Sequence, residues 1–320
     1  MINNNKNPIK IGISACLLGE KVRWDGGHKK DRYITDVLGN YFAFIPVCPE
    51  IEVGMGTPRE SVRLVGDVSS PNMIGNKSGE DWSDRMRKYI AKRTVQLKGY
   101  GFSGYILKKD SPSCGMERVR VYQSNGIPIK DGRGFFGGVV VNHFNNLPIE
   151  EEGRLNDPSL RENFIVRVFA YSDVHSIFKK NIDRGEVVKF HSKYKYLLLA
   201  HSPKYYKLLG QLVAKISRYK PENFKDKYIA TFMEALKQKS TIKKNVNVIQ
   251  HIMGYLKNYL DVSPKSDIIN VIEDYRNGII PLIVPLTLIK HYVDMNNIEY
   301  IKNQVYLKPH PKELMLRNHV

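Results

Sequence analysis

The chain has 320 residues, 42% of them hydrophobic, and its 50 Lys and Arg outnumber 32 Asp and Glu to give a formal net charge of +18. No run of about 18 apolar residues occurs and the N-terminus lacks the apolar core of a secretory signal, which excludes a membrane-spanning helix and predicts a cytoplasmic protein. The length favours two domains, and the odd, widely spaced set of three cysteines argues against a disulfide framework.

The first half alternates between strand and helix patterns. Strand-like segments cover residues 8–16 and 41–48, and a third begins at residue 104 and breaks into a Ser-Pro-Ser loop. Between them lie a short helical pattern around residues 34–38 and a longer one over residues 78–99, where Ser78 and Asp81 have capping-box spacing. Strands and helices in this order predict an α/β domain built on a parallel sheet.

All three cysteines lie at or just beyond the C-terminal end of a predicted strand: Cys16, Cys48 and Cys114. The loops at these ends share one edge of a parallel sheet, so the three thiols are predicted to meet there despite their separation in sequence. Three thiolates suit an iron-sulfur cluster, or a zinc ion with one position open. The alternative is three unrelated buried cysteines, because a free cysteine often serves as a small apolar side chain.

The second half has helical periodicity throughout. Asp157 and Pro158 form an N-cap and first-turn pair at the start of the first helical pattern. Further amphipathic segments follow at about 186–201, 204–217, 222–239, 244–260, 264–276 and 282–295. These segments predict an all-α domain, and its histidines lack metal-binding spacing, so no metal role is predicted for them.

The positive charge is concentrated in the second half. Residues 161–320 hold 27 Lys and Arg against 14 Asp and Glu, and residues 187–221 hold eight basic residues, six aromatic residues and no acid. Lysines can neutralise phosphates while tyrosines pack on bases, so this stretch predicts a nucleic-acid surface; a solvated helix face is the alternative. The predicted contacts are Lys189, Lys193, Lys195, Lys204, Tyr205 and Lys207, with Tyr194, Tyr196 and Tyr206 as further aromatic candidates.

Three stretches resemble the TudS-like thiouracil desulfidases: SACLLGEKVRWDGGHK at 14–29, PVCPEIEVGMGTPRE at 46–60 and ILKKDSPSCG at 106–115. The resemblance implies that Cys16, Cys48 and Cys114 bind a [4Fe-4S] cluster whose fourth iron has no protein ligand. The second half is similar to the helical domain often fused behind such domains, as in RudS-type desulfidases of tRNA 4-thiouridine. We therefore expect a desulfidase domain over residues 1–153 and a helical, basic, tRNA-binding domain over residues 154–320.

The same motifs carry the expected catalytic groups. The resemblance implies roles for Glu50 of the C-P-E motif and Ser111 of the S-P-S-C-G motif, each close in sequence to a predicted ligand. A loop-capping carboxylate and a turn hydroxyl are the alternatives for these two residues. The predicted substrate contacts are Ser14, Arg23, Asp25 and Lys108.

Two further features of the first half, one inside these stretches and one beyond them, receive no role from the sequence. Asp110 stands where the resembling family commonly has arginine, which puts substrate contacts at that edge in doubt. The segment DGRGFFGG at 131–138 holds four glycines without the order of a dinucleotide-binding loop, so a dinucleotide site is not expected there.

The expected function is that of a cytoplasmic enzyme, a [4Fe-4S]-dependent desulfidase that converts 4-thiouridine in tRNA to uridine and releases sulfide. The first alternative is a desulfidase of free thiouracil bases or nucleosides. The second is a non-catalytic RNA-binding protein with a structural metal. No membrane partner is expected, and the sequence makes no prediction of oligomeric state.

Overall fold

The structure is a computed structural model that describes residues 8–179 and 183–319. The chain divides into two compact units, Met1–Asn156 and Asp157–Val320, where the sequence predicts a division between residues 153 and 154. None of the helices in the described part of the chain is long and apolar enough to cross a membrane.

The strands of the N-terminal unit form two sheets. Their bounds are β1 Ile9–Ser14, β2 Phe42–Val47, β3 Val62–Val65, β4 Asn72–Gly75, β5 Gly104–Leu107, β6 Val119–Tyr122, β7 Pro128–Gly132 and β8 Ile149–Glu151. The first sheet has the order β2-β1-β5-β8 and is parallel throughout, which confirms the predicted parallel sheet. The second sheet, β4-β3-β6-β7, mixes one parallel with two antiparallel pairs and was not predicted.

The helices of this unit are α1 Pro49–Glu52, α2 Ser83–Lys98 and α3 Phe135–His143. Met86, Ile90 and Leu97 are buried along one stripe of α2, as its periodicity predicts. The predicted helix start at Ser78 is wrong, because both carboxylate oxygens of Glu60 fix the segment around Ser78 in a turn. The pattern around residues 34–38 forms a π-helical turn over Tyr33–Val37 and a 3₁₀ turn over Leu38–Asn40.

The C-terminal unit is helical, as predicted. Its helices are α4 Pro158–Ile177, α5 Arg184–His201, α6 Pro203–Ala214, α7 Pro221–Lys237, α8 Ile242–Leu256, α9 Val262–Arg276, α10 Ile283–Met295 and α11 Glu299–Lys302. Asp157 caps α4 by accepting the backbone N–H of Leu160 at 2.9 Å, which confirms the predicted cap. Aromatic and aliphatic side chains such as Phe164, Tyr228 and Phe232 fill the core.

Four histidines are largely buried in the described part of the helical unit: His175, His191, His201 and His310, whose pKa is also lowered by burial. Burial lowers the pKa values of His175, His191 and His201 to about 4. The ring of His201 donates through Nδ1 to the carbonyl of Gln238, which lies 2.6 Å away. These rings are therefore held in the neutral form at pH 7.

Candidate active site

Three neighbouring strands of the parallel sheet each deliver one cysteine to the same edge. Cys16 lies in a tight turn directly after β1, Cys48 precedes α1 directly after β2, and Cys114 lies in the loop that follows β5. All three line one pocket of about 310 Å³. The sheet order explains the convergence, because β1 pairs with both β2 and β5 and ligand sites form where the carboxyl ends of such strands meet.

The loop that carries Cys114 is a tight turn closed by Ser111. The Ser111 hydroxyl oxygen accepts the backbone N–H groups of Ser113 at 3.2 Å and Cys114 at 3.0 Å, and its carbonyl accepts the N–H of Gly115 at 2.9 Å. Asp110, just before this turn, has a φ of 58°, a left-handed conformation that Asp tolerates better than most residues. Ser111 lines the pocket and also fixes the backbone that positions Cys114.

The glycine-rich segment DGRGFFGG holds this loop from behind. The N–H groups of Phe135 and Phe136 donate to the carbonyls of Pro112 at 3.1 Å and Ser113 at 2.9 Å. A Cβ atom at Gly137 would lie 2.3 Å from the carbonyl oxygen of Cys114. The glycine therefore permits the start of α3 to approach the Cys114 loop, which explains a motif that sequence reasoning left without a role.

Glu50 is held in the pocket by two groups. Arg59 donates to its Oε2 from both Nε and Nη2, and the Ser113 hydroxyl donates to its Oε1 at 2.7 Å. The side chains of Arg59 and Glu50 are only 7% and 15% exposed, and Ser113 is fully buried. Sequence reasoning missed Ser113, because its nearness to Glu50 depends on how two distant loops pack.

Burial governs the acidity of the three thiols. It raises the pKa of Cys16 to about 11 and also raises the pKa values of Cys48 and Cys114, so the metal-free thiols are protonated at pH 7. The hydroxyl of Ser14 donates to Cys114 and opposes this shift, while its oxygen accepts the N–H of Lys108 at 3.0 Å. A metal that binds these sulfurs would displace their protons.

The donor set fits an iron-sulfur cluster. Three soft sulfur donors line one pocket, and the chain has no fourth cysteine. Across residues 8–179 and 183–319, no three His, Cys, Asp or Glu side chains are grouped so that they could hold one metal ion between them. A cluster makes a different demand on its ligands. Each ligand of a [4Fe-4S] cubane binds a different iron, so its ligands need not converge on one point as those of a single zinc ion do.

The other predicted substrate residues are placed differently. Ser14, Arg23 and Lys108 line the pocket, and the Lys108 amine forms an ion pair with Glu152. Asp25 is absent from the pocket wall; its carboxylate accepts the N–H of Gly27 at 3.0 Å and lies 3.5 Å from the Arg23 guanidinium. Trp24, which sequence reasoning did not select, lines the pocket with 45% of its surface exposed.

The predicted RNA-binding lysines of the helical unit lie on the surface of α5 and α6. Lys189, Lys193, Lys204 and Lys207 are exposed, whereas Lys195 and Tyr205 are half-buried. Two of the aromatic candidates are in the wrong place for stacking, because Tyr194 and Tyr196 are 1% and 2% exposed. The Tyr194 hydroxyl donates to Asp173 at 2.7 Å, so this ring belongs to the core and not to a binding face.

Comparisons with known proteins match both units. A family model described as 2-thiouracil desulfurase matches residues 11–152, and one described as a protein of unknown function, DUF1722, matches residues 195–311. Over 158 residues the chain is 28% identical to the uncharacterized protein YbgA of Escherichia coli strain K12. This match covers 49% of the chain and 94% of YbgA. Over 110 residues the chain is 33% identical to the uncharacterized protein YbbK of Bacillus subtilis strain 168. This match covers 33% of the chain and 72% of YbbK.

A solved structure is also similar to the chain. It is titled as the [4Fe-4S]-dependent thiouracil desulfidase TudS, and it matches with 25% identity and a TM-score of 0.37 over 47% of this chain and 94% of its own. The 2-thiouracil desulfurase model spans Cys16, Cys48 and Cys114, the three motif cysteines of the predicted desulfidase domain. The chain therefore belongs to the 2-thiouracil desulfurase family and carries a DUF1722 domain behind its desulfurase domain.

Proposed function

We propose that the chain is a cytoplasmic enzyme that hydrolyses the C–S bond of 4-thiouridine in tRNA, with a [4Fe-4S] cluster held by Cys16, Cys48 and Cys114. The observation that carries the proposal is the convergence of these three thiols and the Glu50 carboxylate on one pocket. Family membership supports desulfidase activity. The choice of tRNA depends on the basic helical unit, which presents its exposed lysines to solvent.

When bound, the cluster would supply an iron without a protein ligand, a soft Lewis acid suited to a thiocarbonyl sulfur. The remaining features of the pocket bind and orient the base. The exposed indole of Trp24 offers a face on which a pyrimidine ring can stack, and Arg23, on the same wall, can pair with a phosphate.

Glu50 is the proposed general base. It takes a proton from the water that attacks C4, so that a C4–O bond forms, the C4–S bond breaks, and sulfide leaves with a proton. Thiouridine and water give uridine and hydrogen sulfide, with no net oxidation or reduction. Arg59 and Ser113 hold the carboxylate in place from both of its oxygens.

Ser111 is the proposed proton donor to the departing sulfur, and the proton that Glu50 took from water returns to the Ser111 oxygen after sulfide leaves. Its oxygen accepts two backbone hydrogen bonds, which polarise the O–H group and make it a better donor. The same bonds keep the hydroxyl at the pocket wall beside Cys114. A structural role in the turn and a donor role are compatible in this geometry.

Turnover on two substrates tests the proposal. Anaerobically purified protein should consume 4-thiouridine in tRNA and release one sulfide for each thiouridine lost, as followed by near-ultraviolet absorption and a sulfide assay. Affinity for tRNA should fall steeply with salt, whereas activity on the free nucleoside should not. Replacing Lys193, Lys195 and Lys204 with glutamine should flatten the salt dependence without changing the iron content. Loss of thiouridine only from the free nucleoside would reject tRNA as the substrate.

A further inference from the structure

Two exposed tyrosines stack on each other at the surface of the helical unit. Tyr255 lies at the end of α8 and Tyr300 in α11, with ring centroids 5.6 Å apart and ring planes inclined by 30°. The residues are 40% and 38% exposed. The pair therefore combines ring-to-ring support with surface open to solvent, where a further planar ring can pack.

A lysine adjoins the pair and a buried ring supports it. The amine of Lys195 lies 5.9 Å from the centroid of the Tyr300 ring and 5.0 Å from that of Tyr196. Tyr196 is 2% exposed and hydrogen-bonds to Tyr255, so the exposed ring is anchored to the core. We call Lys195, Tyr255 and Tyr300 the tyrosine platform.

We propose that the tyrosine platform stacks an unpaired base of the RNA substrate, with Lys195 pairing to an adjoining phosphate. This inference rests on the proposed function, because it names the form of RNA that the helical unit recognises. Aromatic rings beside a cation are the features that proteins use to hold single-stranded bases, since every base has a stacking face. An unpaired base has such a face free, whereas a base inside a duplex does not.

The charge of the unit favours RNA over a peptide or protein partner. Residues 161–320 hold 27 Lys and Arg against 14 Asp and Glu. The acid next to Tyr300, Glu299, accepts a hydrogen bond from the Asn303 side chain at 3.3 Å. A polyanion with unpaired bases matches both the charge and the exposed rings.

Alanine and phenylalanine variants of Tyr255 and Tyr300 test the platform in the full-length protein, with fluorescence anisotropy of a single-stranded RNA as the measurement. Each alanine variant should weaken binding by about 5- to 150-fold, and each phenylalanine variant should restore it, because stacking needs the ring and not the hydroxyl. Tyr259→Ala is the matched control, since Tyr259 is 56% exposed yet lies outside the platform. Lys195→Gln should lower the salt slope by about one.

Unchanged affinity in both alanine variants, or equal losses with a fully paired duplex of the same sequence, would overturn the platform. Far-ultraviolet circular dichroism shows whether each variant is folded, and the phenylalanine variants keep the test decisive if an alanine variant is not. RNA binding and sulfur removal, both measured on the wild type, distinguish failure of this inference from failure of the proposed function. If it binds single-stranded RNA through the platform but leaves 4-thiouridine intact, the proposed function fails and the platform stands; if it removes sulfur while the alanine variants bind normally, the platform alone fails.

Discussion

Both units of the chain bury polar side chains, but they differ in whether those side chains surround thiols. In the N-terminal unit, buried Ser14 and the Glu50–Arg59 pair line one pocket with the three thiols, and buried Ser113 contacts Glu50 from behind. The helical unit buries His201, Asn245 and the Arg317–Glu162 ion pair beside an aromatic and aliphatic core, and the exposed lysines of α5 and α6 face solvent. Burial of polar groups is costly, and only in the N-terminal unit do they share a pocket with three thiols, which is where we propose that the chemistry occurs; the exposed lysines of the helical unit suit the proposed RNA partner.

The largest expected effect is loss of the cluster and of turnover in the N-terminal unit, with RNA binding by the helical unit unchanged. Replacing any one of Cys16, Cys48 and Cys114 with alanine should abolish cluster binding and turnover, because each thiolate is needed to hold the cluster. RNA affinity should stay at the wild-type value, since the helical unit is untouched. Iron content, sulfide release and anisotropy are the three measurements. A single variant that keeps full iron and full turnover would remove that cysteine from the ligand set.

Glu50→Gln should give the next largest effect. Loss of a general base lowers kcat by about 10²- to 10⁴-fold, while iron content and RNA affinity should not change. Asp84→Asn is the control, because that carboxylate belongs to the same unit and its side chain is 86% exposed. Wild-type kcat in a cluster-loaded Glu50→Gln protein would show that the carboxylate only caps its loop.

Gly137→Ala tests whether α3 holds the Cys114 loop. The added Cβ would meet the Cys114 carbonyl, and such overpacking costs about 1–3 kcal/mol of stability and should reduce iron content. Gly138→Ala is the matched control, since the nearest atom to its Cβ would be the side chain of Arg133 at 3.3 Å. Urea unfolding and iron analysis distinguish the two variants, and equal behaviour would contradict a supporting role for Gly137.

The last effect is absent at neutral pH and develops only in acid, as a pH dependence of stability that arises in the helical unit. Folding lowers the pKa values of His175, His191 and His201 from about 6.5 to about 4, so the unfolded chain binds more protons between these limits. The free energy of unfolding should therefore fall as pH drops from 6.5 towards 4, with a slope of up to about 1.4 kcal/mol per pH unit for each histidine. His201→Gln should reduce that slope by about one proton, as measured by urea unfolding at several pH values. An unchanged slope would mean that His201 stays protonated in the folded unit.

The sequence sufficed for those parts of the site that follow from chain order. Parallel strands place their carboxyl ends on one edge, so the positions of Cys16, Cys48 and Cys114 after three such strands are enough to predict that they meet. Helical periodicity likewise predicted most helices of the second half, because an amphipathic stripe is a property of local sequence.

The parts that sequence reasoning missed depend on packing between distant segments. Ser113 contacts Glu50 only because the start of α3 holds the Cys114 loop at that angle. Tyr194 and Tyr196 read as surface residues among lysines, yet the helix turns both into the core, while Tyr255 and Tyr300 meet at the surface from α8 and α11. Helical spacing after Val187 and Phe190 is enough to predict that Tyr194 is buried, whereas no local pattern predicts that Tyr255 and Tyr300 meet.

We propose that the three thiols hold a cluster that the enzyme needs to remove sulfur from thiouridine. The most direct measurement is iron and acid-labile sulfide per chain in anaerobically purified protein, followed at once by turnover of 4-thiouridine tRNA on the same sample. The expected result is about four irons and four sulfides per chain, as a [4Fe-4S] cluster requires, together with loss of the thiouridine absorption. Zinc in place of iron, or an intact cluster that leaves thiouridine unchanged, would contradict it.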